Sequence, residues 1–391
     1  MKKSSLNIRL NKAIKYTASA FLACALLAAG SIVFEGGAPA FGSSIFGSIT
    51  AYAVAESTSS VIGYDRTSKS LSSANADGSV VSGADSADAF VFTETDPQSL
   101  TRYTYSPVST EKTDSSSRFG AGRLTMYANH DSEAQHLSVI IETGDPGSGV
   151  IVVDGGWAEN GASLLEAIKS KGGHVGAWLI THPHQDHALA LADILKNHAS
   201  EITIDGIYYS LLDDAFYKKY DTESVGVLSE LRAGFANIPA DRLHGDIKAG
   251  QIINVGPAKI QVLNEPFKFK TNTGNNSCVV YDVSLNGTNT LFLGDLALAG
   301  GSALMSCLDL RSLNCDLVQV AHHGQEAVSY SFYQQLAPRA MLWATPKWLW
   351  DNDNGGGPGS GKWTTGTTRK WADGLLIREN YVTKDGDIVI E

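Results

Sequence analysis

Three histidines and an aspartate crowd into the segment Thr181-His182-Pro183-His184-Gln185-Asp186-His187. With 10 histidines in 391 residues, chance gives such a group on the order of once per million positions, so a loop of unrelated surface histidines is a poor account of it. Neutral imidazole and carboxylate are favoured donors for zinc and similar divalent ions. Alternation sets His182 and His184 on one side of the turn and points Asp186 and His187 toward a second position. Two divalent cations are therefore expected, zinc first among them, with manganese or iron accommodated by the same donors. Such a pair brings the pKa of water down to about 7 and stabilises charge developing at an attacked phosphorus or carbonyl.

Side chains can be held this closely only by rigid flanking elements. Ala177-Trp178-Leu179-Ile180 reads as a buried strand leading in, and residues 188–196 as a helix leading out. Upstream, Leu137-Ser138-Val139-Ile140-Ile141 and Gly149-Val150-Ile151-Val152-Val153 read as strands joined by the turn Gly144-Asp145-Pro146-Gly147, with a helix over 163–171. Further strands are expected at 202–209, 259–263, 277–283, 290–293, 317–320, 341–344 and 387–390. Strands alternating with helices in this way predict an α/β fold of two sheets, each covered by helices on its outer face. No repeat of fixed period is present.

His-x-His-x-Asp-His after a strand resembles the signature of the metallo-β-lactamase superfamily, and the likeness runs over most of residues 118–391. It implies an αββα sandwich. Ile151-Val152-Val153-Asp154-Gly155-Gly156 is similar to the family strand whose aspartate orders the metal loop, which implies a supporting role for Asp154. Thr290-Leu291-Phe292-Leu293-Gly294-Asp295 is similar to the strand ending in the bridging aspartate, so the resemblance assigns Asp295 to both metals. Asp316-Leu317-Val318-Gln319-Val320-Ala321-His322-His323-Gly324 resembles the last ligand motif of one branch, that of the extracellular domain of the DNA-uptake channel protein ComEC and its secreted relatives. His322 or His323 then completes the second metal position, and the other contacts substrate or the ligands. Ala249-Gly250-Gln251-Ile252-Ile253-Asn254-Val255-Gly256, Asn275-Asn276-Ser277 and the tail from Tyr381 to Ile390 agree with the same branch.

The chain departs from the family in two places. β-Lactamases and glyoxalase-type members carry a histidine where this chain has Asn275 or Asn276; His244 lies in the wrong segment to replace it. One metal position is thereby weakened, left open to substrate oxygen or served by an amide, and lactam or thioester hydrolysis is disfavoured. After Pro346 the branch usually has an asparagine and a histidine, where this chain has Lys347-Trp348-Leu349-Trp350-Asp351-Asn352-Asp353-Asn354. Trp343, Trp348, Trp350, Trp363 and Trp371 are expected near the cleft mouth, either binding a quaternary ammonium or packing a loop against the core.

Residues 1–55 read as an export leader: Lys2, Lys3, Arg9, Lys12 and Lys15 precede an uncharged apolar stretch from Ala18 to Phe34, and small-x-small sites follow. An uncleaved anchor is the alternative. A secreted or cell-surface protein is expected, touching membrane only if the leader is retained. Residues 56–117, rich in Ser, Thr, Ala, Asp and Gly, read as a linker or a loose edge of the catalytic domain at 118–391. Removing residues 1–40 takes away five basic side chains and Glu35, moving the net charge from −11 to −15. Such a surface repels phosphate backbones, so non-specific nucleic-acid binding is not expected and a small phosphoester suits it better. Cys278, Cys307 and Cys315 remain; Cys307 and Cys315 either pair or, like Cys278, lie buried as thiols. The reading that emerges is an exported hydrolase cleaving phosphodiesters with a hydroxide held between two metals, with Asp186, His322 and His323 at the chemistry. Hydrolysis of another ester, lactone or amide, and a binding protein on an inactive fold, are the alternatives.

Overall fold

The computed structural model describes residues 60–65, 70–75, 80–81 and 100–391; the leader and Cys24 lie outside the described residues. The chain divides into two units, Met1–Gly83 and Ala84–Glu391. In the first, β1 (Ser60–Asp65), β2 (Ser70–Asn75) and β3 (Val80–Val81) form an antiparallel three-stranded sheet. The Ser/Thr/Ala/Asp/Gly-rich composition of this stretch reads as linker and does not predict these strands.

The second unit is a sandwich. Its first sheet runs β10 (Leu243–His244), β9 (Ile207–Tyr208), β7 (His174–Leu179), β6 (Val150–Asp154), β5 (Ser138–Glu142), β4 (Arg123–Met126) and β18 (Ile388–Ile390), with β8 (Thr203–Ile204) beside β7. The second runs β11 (Ile252–Val255), β12 (Ala258–Val262), β13 (Tyr281–Leu285), β14 (Thr288–Phe292), β15 (Leu317–Gln319), β16 (Ala340–Trp343) and β17 (Glu379–Val382). Period-two alternation explains the layering. Ile151 and Val153 face a core shared with Val262, Tyr281, Phe292 and Leu342 of the opposite sheet. Val150 and Val152 face outward onto α1 (Gly161–Ser170) and α2 (Gln185–Asn197). On the other outer face, Val318, Val320 and Met341 pack with Leu304 of α6 (Leu298–Cys307) and Phe332 of α7 (Tyr330–Leu336). The αββα arrangement expected from the sequence is the one observed.

Only α1 and α2 have counterparts in the sequence reading; the helices it lacks include α3 (Asp214–Tyr220) and α4 (Thr222–Phe235). Val227, Leu228 and Leu231 form the buried stripe of α4, but exposed Val225 and the glycines Gly226 and Gly234 dilute its periodicity. The expected strand over 277–283 begins only at Tyr281, because Thr273–Asn276 forms the short helix α5. Two more, α8 (Lys347–Trp350) and α9 (Thr365–Gly374), precede the last strands. Residues 100–117 are tied to the sandwich by long-range bonds: Val108 N donates to Gln261 Oε1 and Thr110 N to Ser284 Oγ, while Gln261 Nε2 donates to Ser106 O. The sandwich is thus in contact with its chain from about residue 100, upstream of 118. Cys278, Cys307 and Cys315 are buried free thiols, so no 307–315 disulfide forms.

Candidate metal centre

The parallel strands β6, β7, β14, β15 and β16 deliver their C-terminal ends to one edge of the sandwich. Asp154 ends β6, the His182–His187 turn follows β7, Asp295 follows β14, and His322 and His323 follow β15. Side chains remote in sequence converge there because each sits where a strand stops and its backbone is free to turn. Asp154, His322 and His323 have left-handed φ of 54°, 52° and 54°, a region that non-glycine residues seldom occupy. Gly294, at φ 55°, is required beside them: a Cβ there would stand 2.6 Å from Thr181 Oγ1.

Two ligand sets form and share Asp295. One comprises Asp186, His187, Asp295 and His323; the other, His182, His184 and Asp295; in each the candidate atoms lie within 4.8 Å of one another. Asp295 Oδ1 is 3.1 Å from His187 Nε2 and 3.6 Å from His323 Nε2, and Asp186 Oδ2 is 3.2 Å from His323 Nε2. Asp295 Oδ2 turns the other way, 4.0 Å from His182 Nε2. Donors 2.0–2.1 Å from a tetrahedral ion stand roughly 3.3 Å apart, so these spacings suit one. The Nε2 atoms of His182, His187 and His323 and Oδ1 of Asp295 are buried without a hydrogen-bond partner, as ligand atoms would be in a cation's absence. The donors present therefore fit divalent cations, in one group of four candidate ligands and one of three.

The outward nitrogens are tied down. His187 Nδ1 donates to Asp154 Oδ2 at 2.8 Å and His323 Nδ1 to Ala344 O at 2.9 Å. Asp154 also accepts from Thr181 N and Oγ1, fixing the start of the metal loop. His322 Nδ1 donates to Glu326 O, and its Nε2 stands 3.9 Å from Asp295 Oδ2. Of the adjacent pair, then, His323 is in the ligand set, while His322, with 27% of its side chain exposed, stands at the mouth. Asn275 and Asn276 also separate. Asn276 is spent on structure, its Nδ2 donating to Thr271 O and its Oδ1 accepting from Gly300 N. Asn275 Oδ1 is buried without a partner and remains the candidate donor. His244 stacks on Tyr208 and takes no part.

Sequence reasoning missed Asp221, which caps α4 and stands 3.3 Å from His184 Nε2. It also missed buried His136, whose ring bonds to Asn160 Oδ1 and Tyr127 O. A cavity of about 660 Å³ opens beside the centre, lined by His136, Ala344, Trp348, Glu133 and Lys384 among others. Of the five tryptophans expected at a cleft mouth, Trp343, Trp350 and Trp371 pack with the outer core; only Trp348, edge-on to Trp363, lines this cavity. For those three, packing is the correct alternative.

Burial lowers His182 well below the usual histidine value, reinforced by His187 and His184, so its lone pair stays available. Burial acts the same way on His187 and His323, but the surrounding carboxylates, Asp295 foremost, outweigh it and hold both above the ordinary value. Against burial, the histidines pull Asp295 well below the carboxylate range. A cation must displace the protons held on His187 and His323. Cation uptake is therefore expected to release protons and to strengthen as pH rises, which calorimetry in buffers of different ionisation enthalpy measures.

A family model described as metallo-beta-lactamase superfamily matches residues 132–339, just over half of the chain. The chain belongs to the metallo-β-lactamase superfamily. Among solved metallo-β-lactamase-fold structures, YhfI from Bacillus subtilis is 16% identical, with a TM-score of 0.42 over 68% of this chain and 98% of its own. A diphosphatase from the PhnP family is 14% identical, with a TM-score of 0.40 over 69% of this chain and 97% of its own. MEM-A1, a subclass B3 metallo-β-lactamase from a soil metagenome library, is 16% identical, with a TM-score of 0.35 over 55% of this chain and 79% of its own. No curated protein matches. Superfamily membership rests on the family model and on the sandwich with its His/Asp centre.

Proposed function

We propose that the protein is an exported hydrolase of small phosphodiesters. The observation that carries this reading is the pair of ligand sets meeting at Asp295, one complete and one left with three donors. Two adjacent cation positions suit in-line displacement at phosphorus, where both the attacking and the leaving oxygen need stabilisation. Divalent cations, when bound, supply Lewis acidity and generate a nucleophile from water near neutral pH. Asp186, Asp295, His187 and His323 would hold one cation; His182, His184 and Asp295 would hold the other, where Asn275 stands in place of the histidine of β-lactamases and glyoxalase-type members. His322, tied at Nδ1 and free at Nε2, holds or passes a proton at the mouth, in place of the histidine that the branch carries after Pro346. The charge of −15 once residues 1–40 are removed favours small substrates over polynucleotides. The basic then apolar leader supports an extracytoplasmic location. Among the described residues no helix is long and apolar enough to cross a membrane.

The test assays bis(p-nitrophenyl) phosphate, p-nitrophenyl phosphorylcholine, linear DNA and nitrocefin side by side. Expected is phosphodiester turnover that chelation abolishes and added zinc or manganese restores, reduced at least about a hundredfold in His184→Ala. Rapid nitrocefin cleavage without phosphodiester turnover would overturn the substrate class. Absence of any cation-dependent hydrolysis would favour a binding protein.

A further inference from the structure

We infer that Asp221 is a positioning residue for the three-donor cation position, so that the α3–α4 helix pair fastens the weaker half of the centre. The inference rests on the cluster binding divalent cations. His184 differs from its neighbours in how it is held. His187, His322 and His323 are tied at Nδ1 and His182 Nδ1 lies against Thr181 Oγ1, whereas His184 is tied at Nε2, which donates to Asp221 Oδ2 at 3.3 Å. The same Oδ2 accepts from Gly274 N at 2.7 Å and Ser224 Oγ at 3.1 Å, while Oδ1 caps α4 through Ser224 N at 3.3 Å.

Independently, the backbone closes the Nε2 side. A Cβ on Gly274 would fall 2.2 Å from His184 Nε2 and 2.5 Å from Asp221 Oδ2, so α5 is pressed against that nitrogen. No cation has room there, which leaves Nδ1 to face the centre. Accepting the Nε2 proton fixes the tautomer whose Nδ1 carries the lone pair, and the carboxylate's charge makes that lone pair more basic. The other position has four donors and its own carboxylate support from Asp154. The three-donor position has no donor to spare, so it depends more on how well His184 is held.

The test uses the full chain as wild type, Asp221→Ser and Asp221→Asn. Serine caps a helix as well as aspartate does but is too short to reach His184. Asparagine keeps an acceptor oxygen but not the charge. Readouts are zinc equivalents retained through a chelator series, thermal unfolding of the chelated protein, and the pattern of ¹⁵N-histidine two-bond couplings in the zinc-loaded protein. Expected for the wild type are two equivalents and, among the zinc-ligating histidines, one protonated at Nε2. Expected for Asp221→Ser are one tight equivalent retained, the second bound 10–100-fold more weakly, loss of the Nε2-protonated signature at the zinc ligands, and only a small fall in the unfolding temperature without metal, from the lost bond to Gly274 N. Asp221→Asn should fall between. Wild-type binding of the second equivalent by Asp221→Ser would overturn the inference alone. So would equal weakening of both equivalents, or metal loss that only tracks a fall in the chelated protein's unfolding temperature. A wild type that retains no cation would instead overturn the metal reading beneath it.

Discussion

If the proposed function holds, Asp295→Ala is expected to strip both cation equivalents from the protein and to lower phosphodiester hydrolysis by about a thousandfold or more, the largest effect of any single change in the centre. The reason is geometric. Asp295 is the one residue common to both ligand sets, with Oδ1 toward His187 and His323 and Oδ2 toward His182 and His322. Losing His182 or His184 weakens one position; losing Asp295 takes a donor from each and removes the buried negative charge that offsets two cations. In the chelated protein the substitution also acts on folding. Asp295 helps to hold His187 and His323 above their ordinary pKa. A raised histidine contributes stability that is fully present below its unfolded value, about 6.5, and is lost as pH rises through the folded value. The chelated variant should therefore lose more stability at pH 6 than at pH 9, read by urea unfolding at both. Metal content by elemental analysis separates this route from simple misfolding: a folded variant that keeps two equivalents would show that Asp295 does not bridge.

The parts of the centre legible in the sequence are those written within a few residues of a strand end. His182, His184, Asp186 and His187 occupy one turn, and Asp154 and Asp295 each close a run of buried apolar residues, so strand periodicity points to them directly. The His322-His323 pair could be located but not sorted. Which ring enters the centre depends on two successive left-handed residues and on Ala344, a residue of the neighbouring strand end. Asn275 and Asn276 were equivalent for the same reason, since only the helix they form assigns one amide to Thr271 and Gly300. Asp221 left no local trace: it lies 37 residues from His184, in a helix pair whose apolar stripe is interrupted by glycine. Its sequence context marks a helix cap and nothing more. The five tryptophans part company because clustering in sequence does not imply a shared face; β16 turns Trp343 into the core while α8 carries Trp348 to the cavity.

Asp154 is never more than a supporting residue, yet Asp154→Ala is expected to cost about 3–5 kcal/mol of folding stability and to weaken the four-donor position 10–100-fold. At 1% exposure its carboxylate has no water to fall back on, and it satisfies three donors at 2.7–2.8 Å: Thr181 N, Thr181 Oγ1 and His187 Nδ1. Alanine strands all three and must also adopt the left-handed backbone at φ 54°, a further cost of about 1 kcal/mol. Asp154→Asn keeps the shape but places an amide N–H where His187 Nδ1–H needs an acceptor, or where Thr181 does, so it should not rescue metal binding. The two halves of the loss separate by pH. The His187 half belongs to a histidine whose pKa is raised in the fold, so in chelated protein it is present at pH 6 and fades as pH climbs through that value. The Thr181 half involves no titrating donor and persists. Urea unfolding of chelated Asp154→Ala against wild type should thus give a larger difference at pH 6 than at pH 9. Equal differences would mean that Asp154 acts through the Thr181 turn alone and that His187 owes its position to Asp186 and Asp295.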